Sequence, residues 1–219
     1  MINTITLEDT LPSVFRGMEK EKPLCDSEVW LRSITLKRGD RYLIEAESGT
    51  GKSSLCSYIY GSRGEYSGHI LFDGQDSSEF SISRWCELRT HALAYLPQEM
   101  QLFPELTVME NIEIKNRLTR HRSDKWIIET LEELEIADKA QQRAAILSVG
   151  QQQRAAIVRA LCQPFDFLLI DEPVSHLDER NNRIVAGIIE RAATEAGAAV
   201  IATSVGNKIK LNFNSVFKL

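Results

Sequence analysis

The chain has 219 residues, of which 43% are hydrophobic and 26% are charged, and its formal net charge at pH 7 is −5. This length and composition suit one large α/β domain or a domain with a small subdomain, and the acidic balance supplies no overall field that would attract nucleic acid. No apolar run is long enough to span a bilayer, and the first residues lack the pattern of a signal peptide. Four scattered cysteines without a C-x-x-C pair indicate buried thiols in a reducing compartment.

The first half of the chain is predicted to be rich in strands. Residues 2–8 and 29–46 have β-type patterns, and we expect Trp30 to belong to a core strand. A helix-like run follows from Ser53 to Tyr60. Glycines on either side of residues 69–72 predict a hairpin.

The second half alternates helices with buried strands. The predicted elements are a strand at 91–96, a helical segment at 105–146, a helix at 151–162, a strand at 165–170, a helix at 179–196 and a strand at 198–203. The continuous apolar run at 165–170 is typical of a parallel sheet covered on both faces. Ser123 is a possible N-cap for the helix whose apolar face begins at Ile127.

A phosphate-binding loop lies between the strand that ends near residue 46 and the helix that begins at Ser53. Its residues are Ala46, Glu47, Ser48, Gly49, Thr50, Gly51, Lys52, Ser53 and Ser54. In such loops the glycines let backbone N–H groups point at phosphate oxygens, and the following helix adds partial positive charge. Lys52 suits the β- and γ-phosphates, and the Ser53 hydroxyl suits Mg²⁺. Ala46 replaces the usual first glycine, so either the loop is distorted there or the position needs no positive φ.

Two carboxylates follow the apolar strand, at Asp171 and Glu172. Taken alone, they could be solvated acids at a strand end. Together with the phosphate loop they form the second half of a P-loop ATPase, in which Asp171 holds Mg²⁺ through water and Glu172 orients or deprotonates the attacking water.

A third motif resembles the signature of ATP-binding cassette (ABC) ATPases. The run Leu147-Ser148-Val149-Gly150-Gln151 differs from the usual Leu-Ser-Gly-Gly-Gln at its third position. Ser148 is predicted to cap a helix whose first N–H groups form an anion site. The resemblance implies that Ser148, Gly150 and Gln151 contact the γ-phosphate of ATP held by a second copy, with ATP sandwiched between the two.

Other ABC motifs follow in the family's order and spacing, so the resemblance covers essentially the whole chain. Gln98 is similar to the glutamine of the Q-loop, which reaches Mg²⁺ and the attacking water, and residues 102–112 resemble the segment that opens the helical subdomain. Residues 175–178 resemble the D-loop and imply that Asp178 lies at the dimer interface. The triple glutamine before Arg154 is most similar to the lipoprotein-release, macrolide-export and cell-division branch.

Two further site residues are interpreted by position. Phe15 is the candidate for stacking on adenine, although it could equally pack within the β-subdomain. Ser204 occupies the place where the family usually has a histidine against the γ-phosphate, and no histidine follows His176. Because serine is shorter and carries no charge, we expect hydrolysis to be slow while nucleotide binding is kept.

A basic cluster lies in the predicted helical subdomain, and its members are Arg117, Arg120, His121, Arg122 and Lys125. It could be an ordinary solvated loop. The alternative is a surface that approaches acidic lipid or the cytoplasmic loop of a partner.

The resemblance implies an α/β fold with a P-loop NTPase core, an antiparallel β-subdomain and a helical subdomain at about 99–147, all within one domain of residues 1–219. It implies an ATPase that uses ATP and Mg²⁺ and forms a homodimer or a heterodimer of two cassettes. Such a subunit is cytoplasmic and peripheral, bound to a membrane permease, and has no nucleic-acid partner. The alternatives are an ATP-gated mechanical or signalling ATPase that transports nothing and, less compatible with an acidic single cassette, an ATPase of the repair or translation type.

Overall fold

The computed structural model describes residues 1–22, 24–47, 49–174 and 176–219. Its strands are β1 (Thr4–Pro12), β2 (Ser33–Lys37), β3 (Arg41–Glu45), β4 (Tyr66–Phe72), β5 (Gln75–Asp76), β6 (Leu93–Leu96), β7 (Phe167–Asp171), β8 (Ala199–Ser204) and β9 (Ser215–Lys218). Its α-helices are α1 (Lys52–Ile59), α2 (Ile82–His91), α3 (Val108–Thr119), α4 (Asp124–Glu133), α5 (Val149–Leu161) and α6 (Glu179–Ala196). None of the helices in these ranges is long and apolar enough to cross a bilayer.

The strands form two sheets. A four-stranded antiparallel sheet has the order β2-β1-β4-β5, and a five-stranded parallel sheet has the order β6-β7-β8-β3-β9. The carboxyl ends of β3, β8 and β7 therefore lie side by side at one edge. Ligands of open α/β sheets bind at this edge.

The parallel sheet is buried on both faces because successive side chains of a strand point to opposite sides. In β7, Leu168 and Ile170 pack into an apolar cluster with α5 and α6. Phe167 and Leu169 belong instead to a cluster with α1 and the antiparallel sheet. All four side chains are at most 1% exposed. The predicted parallel sheet with both faces covered is confirmed.

Helices α3 and α4 account for the helical segment predicted at 105–146. Each has a side-chain N-cap: the Thr107 hydroxyl accepts from the Glu110 N–H, and the Ser123 hydroxyl accepts from the Trp126 N–H at 3.2 Å. The prediction of Ser123 as a cap is confirmed. Helix α4 ends at Glu133, and the chain then continues through short 3-10 turns to residue 147. The outer boundaries of a helical subdomain at about 99–147 stay a prediction.

Several sequence predictions were wrong or incomplete. Trp30 is buried, as expected, but it lies in a turn before β2, and its indole N–H donates to the Thr50 carbonyl oxygen at 3.0 Å. Helix α2 and strand β9 were not anticipated. Of the four cysteines, Cys56 and Cys162 are buried, whereas Cys25 and Cys86 are exposed. The buried-thiol prediction therefore holds for half of them.

A β-bulge in β1 explains one glycine of the antiparallel sheet. The pairing of β1 with β4 shifts register between Glu8 and Leu11, and Asp9 takes a φ of 48°. Opposite the bulge, Gly68 has a φ of 81°, and a Cβ at that position would lie 2.3 Å from the Asp9 carbonyl oxygen. Both the backbone conformation and the close approach exclude a larger residue.

We predict that Gly68→Ala destabilises the protein much more than Gly74→Ala. Gly74 has a similar φ of 85°, but a Cβ added to it would meet no other atom within 4 Å. Gly74→Ala should therefore lower the free energy of unfolding only by the cost of the left-handed backbone conformation, about 1–2 kcal/mol. Gly68→Ala adds a backbone clash worth roughly 1–3 kcal/mol more. Equilibrium urea unfolding of both variants measures the difference, and equal losses would contradict the role given to the bulge.

Candidate nucleotide site

The loop between β3 and α1 has the geometry expected of a phosphate loop. Gly49 and Gly51 have φ values of 84° and 99°, and Gly51 is the N-cap of α1. Ala46 is not among the described residues with a positive φ, and its N–H donates to the Ser204 carbonyl oxygen at 3.2 Å. An alanine is therefore tolerated at this position without strain. Ser48 lies outside the described residues.

The loop lysine is buried and held from two sides. Lys52 is 5% exposed, and its ammonium donates to the Glu47 carbonyl oxygen at 2.8 Å. The Thr50 hydroxyl donates to the same carbonyl at 2.9 Å. Lys52 Nζ also lies 3.8 Å from Glu172 Oε1. The loop's positive charge is thus fixed between its own backbone and the carboxylate at the end of β7.

The two carboxylates have different surroundings. Asp171 is 1% exposed and accepts a hydrogen bond from the Thr203 hydroxyl. Glu172 follows it with a φ of 49°, and its Oε2 accepts from Gln98 Nε2 at 3.3 Å. Burial and the negative charge of Asp171 both raise the pKa of the Cys56 thiol on α1, burial being the larger cause. The site therefore keeps one enclosed carboxylate and one that reaches the cleft.

One cavity of about 410 Å³ brings eight of the predicted site residues together. Its lining is Val14, Phe15, Gly49, Gly51, Lys52, Ser53, Ser54, Gln98, Glu172 and Val205. We refer to this cavity as the nucleotide cleft. Eight of these residues were identified from the sequence, and Val14 and Val205 were missed because an isolated valine carries no motif.

Aromatic side chains pack against the N-terminus of α1. A Cβ on Gly51 would lie 3.1 Å from the Trp30 indole and 3.2 Å from Phe15 Cε2. Phe15 is half-buried and also lines a smaller cavity of about 250 Å³ beside the loop, together with Lys22 and Thr50. Phe15 thus lies where a base could follow phosphates held by the loop, although adenine stacking stays a prediction.

Ser204 lines a separate cavity, together with Ala46 and Glu47 of the phosphate loop. It is the last residue of β8, is 3% exposed, and donates its hydroxyl proton to the Asn207 carbonyl oxygen at 2.9 Å. The neighbouring Val205 lines the nucleotide cleft, and Ser204 does not. The structure therefore does not bring the Ser204 hydroxyl into the cleft, and slow hydrolysis stays a prediction from the residue type alone.

The signature segment forms a complete capping box at the start of α5. The Ser148 hydroxyl accepts from the Gln151 N–H at 3.3 Å, and Gln151 Oε1 accepts from the Ser148 N–H at 2.9 Å. The box leaves the N–H groups of Val149 and Gly150 as first-turn donors that it does not satisfy. A Cβ on Gly150 would lie 3.2 Å from the His176 carbonyl oxygen, so the signature packs closely on the segment before α6.

Asp178 is the N-cap of α6. Its Oδ1 accepts from the Asn181 N–H at 2.7 Å, and this bond is the main reason that the pKa of Asp178 lies below its usual value. Asn181 in turn accepts from the Arg154 guanidinium of α5 at 3.1 Å. The predicted D-loop aspartate is thus linked to the signature helix, whereas Ser175 of the same motif lies outside the described residues.

A second arginine of α5 holds the segment after Gln98. Met100 and Gln101 have φ values of 57° and 50°, which are uncommon for residues other than glycine. Arg159 donates to the carbonyl oxygen of Gln101 at 2.7 Å and to that of Met100 at 2.5 Å. Burial lowers the pKa of this guanidinium. Arg159 belongs to no motif, and nothing in the neighbouring sequence indicates a contact with residues so far away in the chain.

The basic cluster of the helical region is mostly paired within the chain. Arg122 is 7% exposed, bonds to Glu195 at 2.8 Å, and lies 4.4 Å above the Trp126 ring. Arg117 pairs with Glu113, and Lys125 lies 3.7 Å from Glu129. The interpretation as a plain solvated loop was wrong for Arg122, which is a buried structural residue.

The oxygen donors around the cleft fit Mg²⁺. Ser53 offers a hydroxyl, Asp171 a carboxylate, and Gln98 an amide oxygen, since its amide nitrogen is directed at Glu172. Mg²⁺ prefers such ligands and is usually held by few protein groups together with substrate phosphates. Within the described ranges, no cluster of three or more His, Cys, Asp or Glu side chains could hold a metal alone.

This combination of a glycine-containing loop at a helix N-terminus, a buried lysine and paired carboxylates at the end of β7, two strands along the same sheet, defines a P-loop ATPase. Comparison with known proteins shows to which family of P-loop ATPases the chain belongs. Residues 32–175 match the ABC transporter family. The chain therefore belongs to that family, as one of its ATP-binding ATPase subunits.

Individual relatives agree with this family assignment. The chain is 34% identical to the phosphonates import ATP-binding protein PhnC of Frankia casuarinae, over 77% of this chain and 71% of the relative. It is 33% identical to the lipoprotein-releasing system ATP-binding protein LolD of Buchnera aphidicola, over 72% and 70%. The latter agrees with the branch predicted from the triple glutamine. The dimeric structure of the bacterial ABC transporter cassette MJ0796 has the same fold, with a TM-score of 0.73, 24% identity, and coverage of 91% of this chain and 87% of that one.

We predict that Arg159→Met loosens the segment after Gln98 without unfolding the chain. Two left-handed residues cost about 1–3 kcal/mol each, and the guanidinium that compensates is lost. Amide hydrogen exchange should rise at residues 98–103. Arg154→Met is the matched control, because Arg154 binds the Leu134 carbonyl and Asn181 instead. The same exchange pattern in both variants would contradict the assignment.

Proposed function

We propose that this subunit hydrolyses MgATP in the nucleotide cleft, within a head-to-tail dimer, and thereby drives a separate membrane permease. The observation that carries the proposal is the convergence on Glu172 of Lys52 at 3.8 Å and Gln98 at 3.3 Å, within a cavity that the phosphate loop also lines. The dimer consists of two copies of this chain or of this chain and a second cassette.

The phosphate loop binds the substrate through backbone and side chain together. The loop amides and the N-terminus of α1 direct partial positive charge at the phosphates. Lys52 exchanges its bond with the Glu47 carbonyl for the β- and γ-phosphates, and Ser53 and Ser54 lie at the same helix end. Phe15 stacks on the base beside the loop.

Ser53, Gln98 and Asp171 are the residues that would hold Mg²⁺. When bound, the ion neutralises charge that develops on the phosphates. Glu172 accepts hydrogen bonds in the cleft and orients or deprotonates the attacking water, with Gln98 positioned beside its carboxylate. Catalysis then consists of positioning and charge stabilisation, as is usual for phosphoryl transfer.

The signature segment acts on the nucleotide of the other cassette. The capping box of Ser148 and Gln151 leaves the N–H groups of Val149 and Gly150 as donors at the start of α5. Residues 147–151, all of them described, are absent from the lining of the chain's own nucleotide cleft. A γ-phosphate bound by the opposing Lys52 supplies the anion, with Asp178 at the same interface.

A membrane partner completes the assembly. The relatives are named for phosphonate import and lipoprotein release, which are transport processes. We therefore place the subunit at the cytoplasmic face of the membrane, attached to a permease that carries the substrate path.

We predict that Lys52→Ala weakens MgATP binding by about tenfold to a hundredfold, which corresponds to loss of one charge-assisted hydrogen bond of roughly 1.5–3 kcal/mol. Calorimetric titration measures the change. Lys125→Ala is the control, since this exposed lysine lies on α4 and pairs with Glu129 of the same helix. Unchanged affinity in Lys52→Ala would remove the basis for the nucleotide site.

We predict that Glu172→Gln binds MgATP, hydrolyses it poorly and accumulates as a dimer on size-exclusion chromatography. In that background Ser148→Ala should abolish the dimer, whereas Ser123→Ala should not. Both substitutions remove an N-cap and cost about 1 kcal/mol of stability, but only Ser148 starts the signature helix.

A Glu172→Gln protein that stays monomeric at saturating MgATP would contradict the head-to-tail dimer. Equal loss of the dimer in the two serine variants would show that lowered stability, and not the signature contact, is responsible.

A further inference from the structure

One buried hydroxyl joins the two acidic residues at the end of β7. Thr203 of β8 is the register partner of Asp171 in the parallel sheet, and both side chains are 1% exposed. The Thr203 hydroxyl donates its proton to Asp171 Oδ1 and accepts from the Glu172 backbone N–H at 3.2 Å. A single side chain therefore touches the carboxylate of one residue and the backbone of the next.

The backbone that this hydroxyl holds is in an uncommon conformation. Glu172 has a φ of 49°, and left-handed conformations persist in residues other than glycine only where the surroundings hold them. Its N–H is held by Thr203, and its carbonyl oxygen accepts from Gln153 Nε2 at 3.4 Å. Gln153 lies on α5 and is 2% exposed. The peptide groups on both sides of the Glu172 Cα are thus fixed by buried side chains.

We propose that Thr203 is a positioning residue for ATP hydrolysis, which sets the rotation of the Asp171 carboxylate and the direction in which Glu172 leaves the strand. The inference rests on the proposed function, because it takes Glu172 as the group that acts on water. Thr203 itself does not line the nucleotide cleft. Its effect must pass through the two carboxylates.

The hydroxyl of the neighbouring Ser204 also lies at the end of β8, but it does not contact Asp171 or Glu172. Ser204 follows Thr203 in β8, but successive side chains of a strand point in opposite directions. The Ser204 hydroxyl accordingly bonds to the Asn207 carbonyl oxygen. Of these two adjacent hydroxyls, Thr203 is the one that reaches Asp171 and Glu172.

The role requires a group that donates and accepts at once. A hydroxyl does both, and hydrogen bonds to a buried carboxylate are stronger than those to neutral groups. Valine has nearly the shape of threonine but neither capacity, so Thr203→Val leaves Asp171 Oδ1 and the Glu172 N–H without this partner. Serine keeps the hydroxyl and loses only a methyl group.

The test is steady-state ATP hydrolysis and ATP affinity of Thr203→Val and Thr203→Ser in the full chain. We expect kcat of Thr203→Val to fall about tenfold to a hundredfold while ATP affinity stays within about twofold, and Thr203→Ser to keep kcat within about threefold of the parent. Thr130→Val is the matched control, because Thr130 is 6% exposed and its hydroxyl donates to the Trp126 carbonyl oxygen of the same helix, α4. It should lose comparable stability and no kcat.

Three results would overturn the inference: an unchanged kcat in Thr203→Val, an equal loss in Thr203→Ser, or a loss of the same size in Thr130→Val. If Thr203→Val does not fold, Thr203→Ala takes its place and the comparison with Thr203→Ser decides. Glu172→Gln separates the two levels of the argument. If it keeps full turnover, the proposed role of Glu172 fails; if it loses turnover while Thr203→Val does not, only the role of Thr203 fails.

Discussion

The parallel pairing of β7 with β8 and of β8 with β3 is the constraint on which the site depends. Because these strands run in one direction, the loop after β3, the residues at the end of β8 and the carboxylates at the end of β7 meet at one edge. None of these groups could be shifted by one residue without turning its side chain to the opposite face. The buried apolar layers on both sides of the sheet therefore also determine where the side chains proposed for catalysis lie.

Much of this arrangement could be predicted from the sequence because its motifs carry their own local geometry. Lys52 must follow the glycines of a phosphate loop, Ser148 must cap the helix it precedes, and Asp171 must end a buried strand. Such relations involve residues close together in the chain. The prediction for Trp30 failed for the opposite reason: Trp30 is held by contacts with residues far away in the chain, among them the Thr50 carbonyl oxygen, and no local motif marks them. Arg159 was missed because its bonds to the Met100 and Gln101 carbonyl oxygens likewise join residues far apart in the chain.

The places where the chain departs from the usual family residues differ in their structural consequences. Ala46 is accommodated because its backbone does not need a glycine conformation. Val149 is the first residue of α5, and its side chain is 47% exposed. The capping box forms between Ser148 and Gln151 and does not involve the Val149 side chain. At Ser204 the hydroxyl is satisfied by the loop that follows β8. Local backbone demands decide each case, and these cannot be judged from residue type alone.

Helix α5 carries Ser148 at its start and Arg159 in its last turn, eleven residues further on. At a rise of about 1.5 Å per residue, these two contacts are about 16 Å apart on one stiff rod. In the proposed dimer the first contact touches the nucleotide of the opposite cassette. The second holds the segment that follows Gln98, and Gln98 itself lines the chain's own cleft. Because a helix is stiff over this length, the contact proposed for the opposite cassette and the contact with the segment after Gln98 cannot move independently of each other.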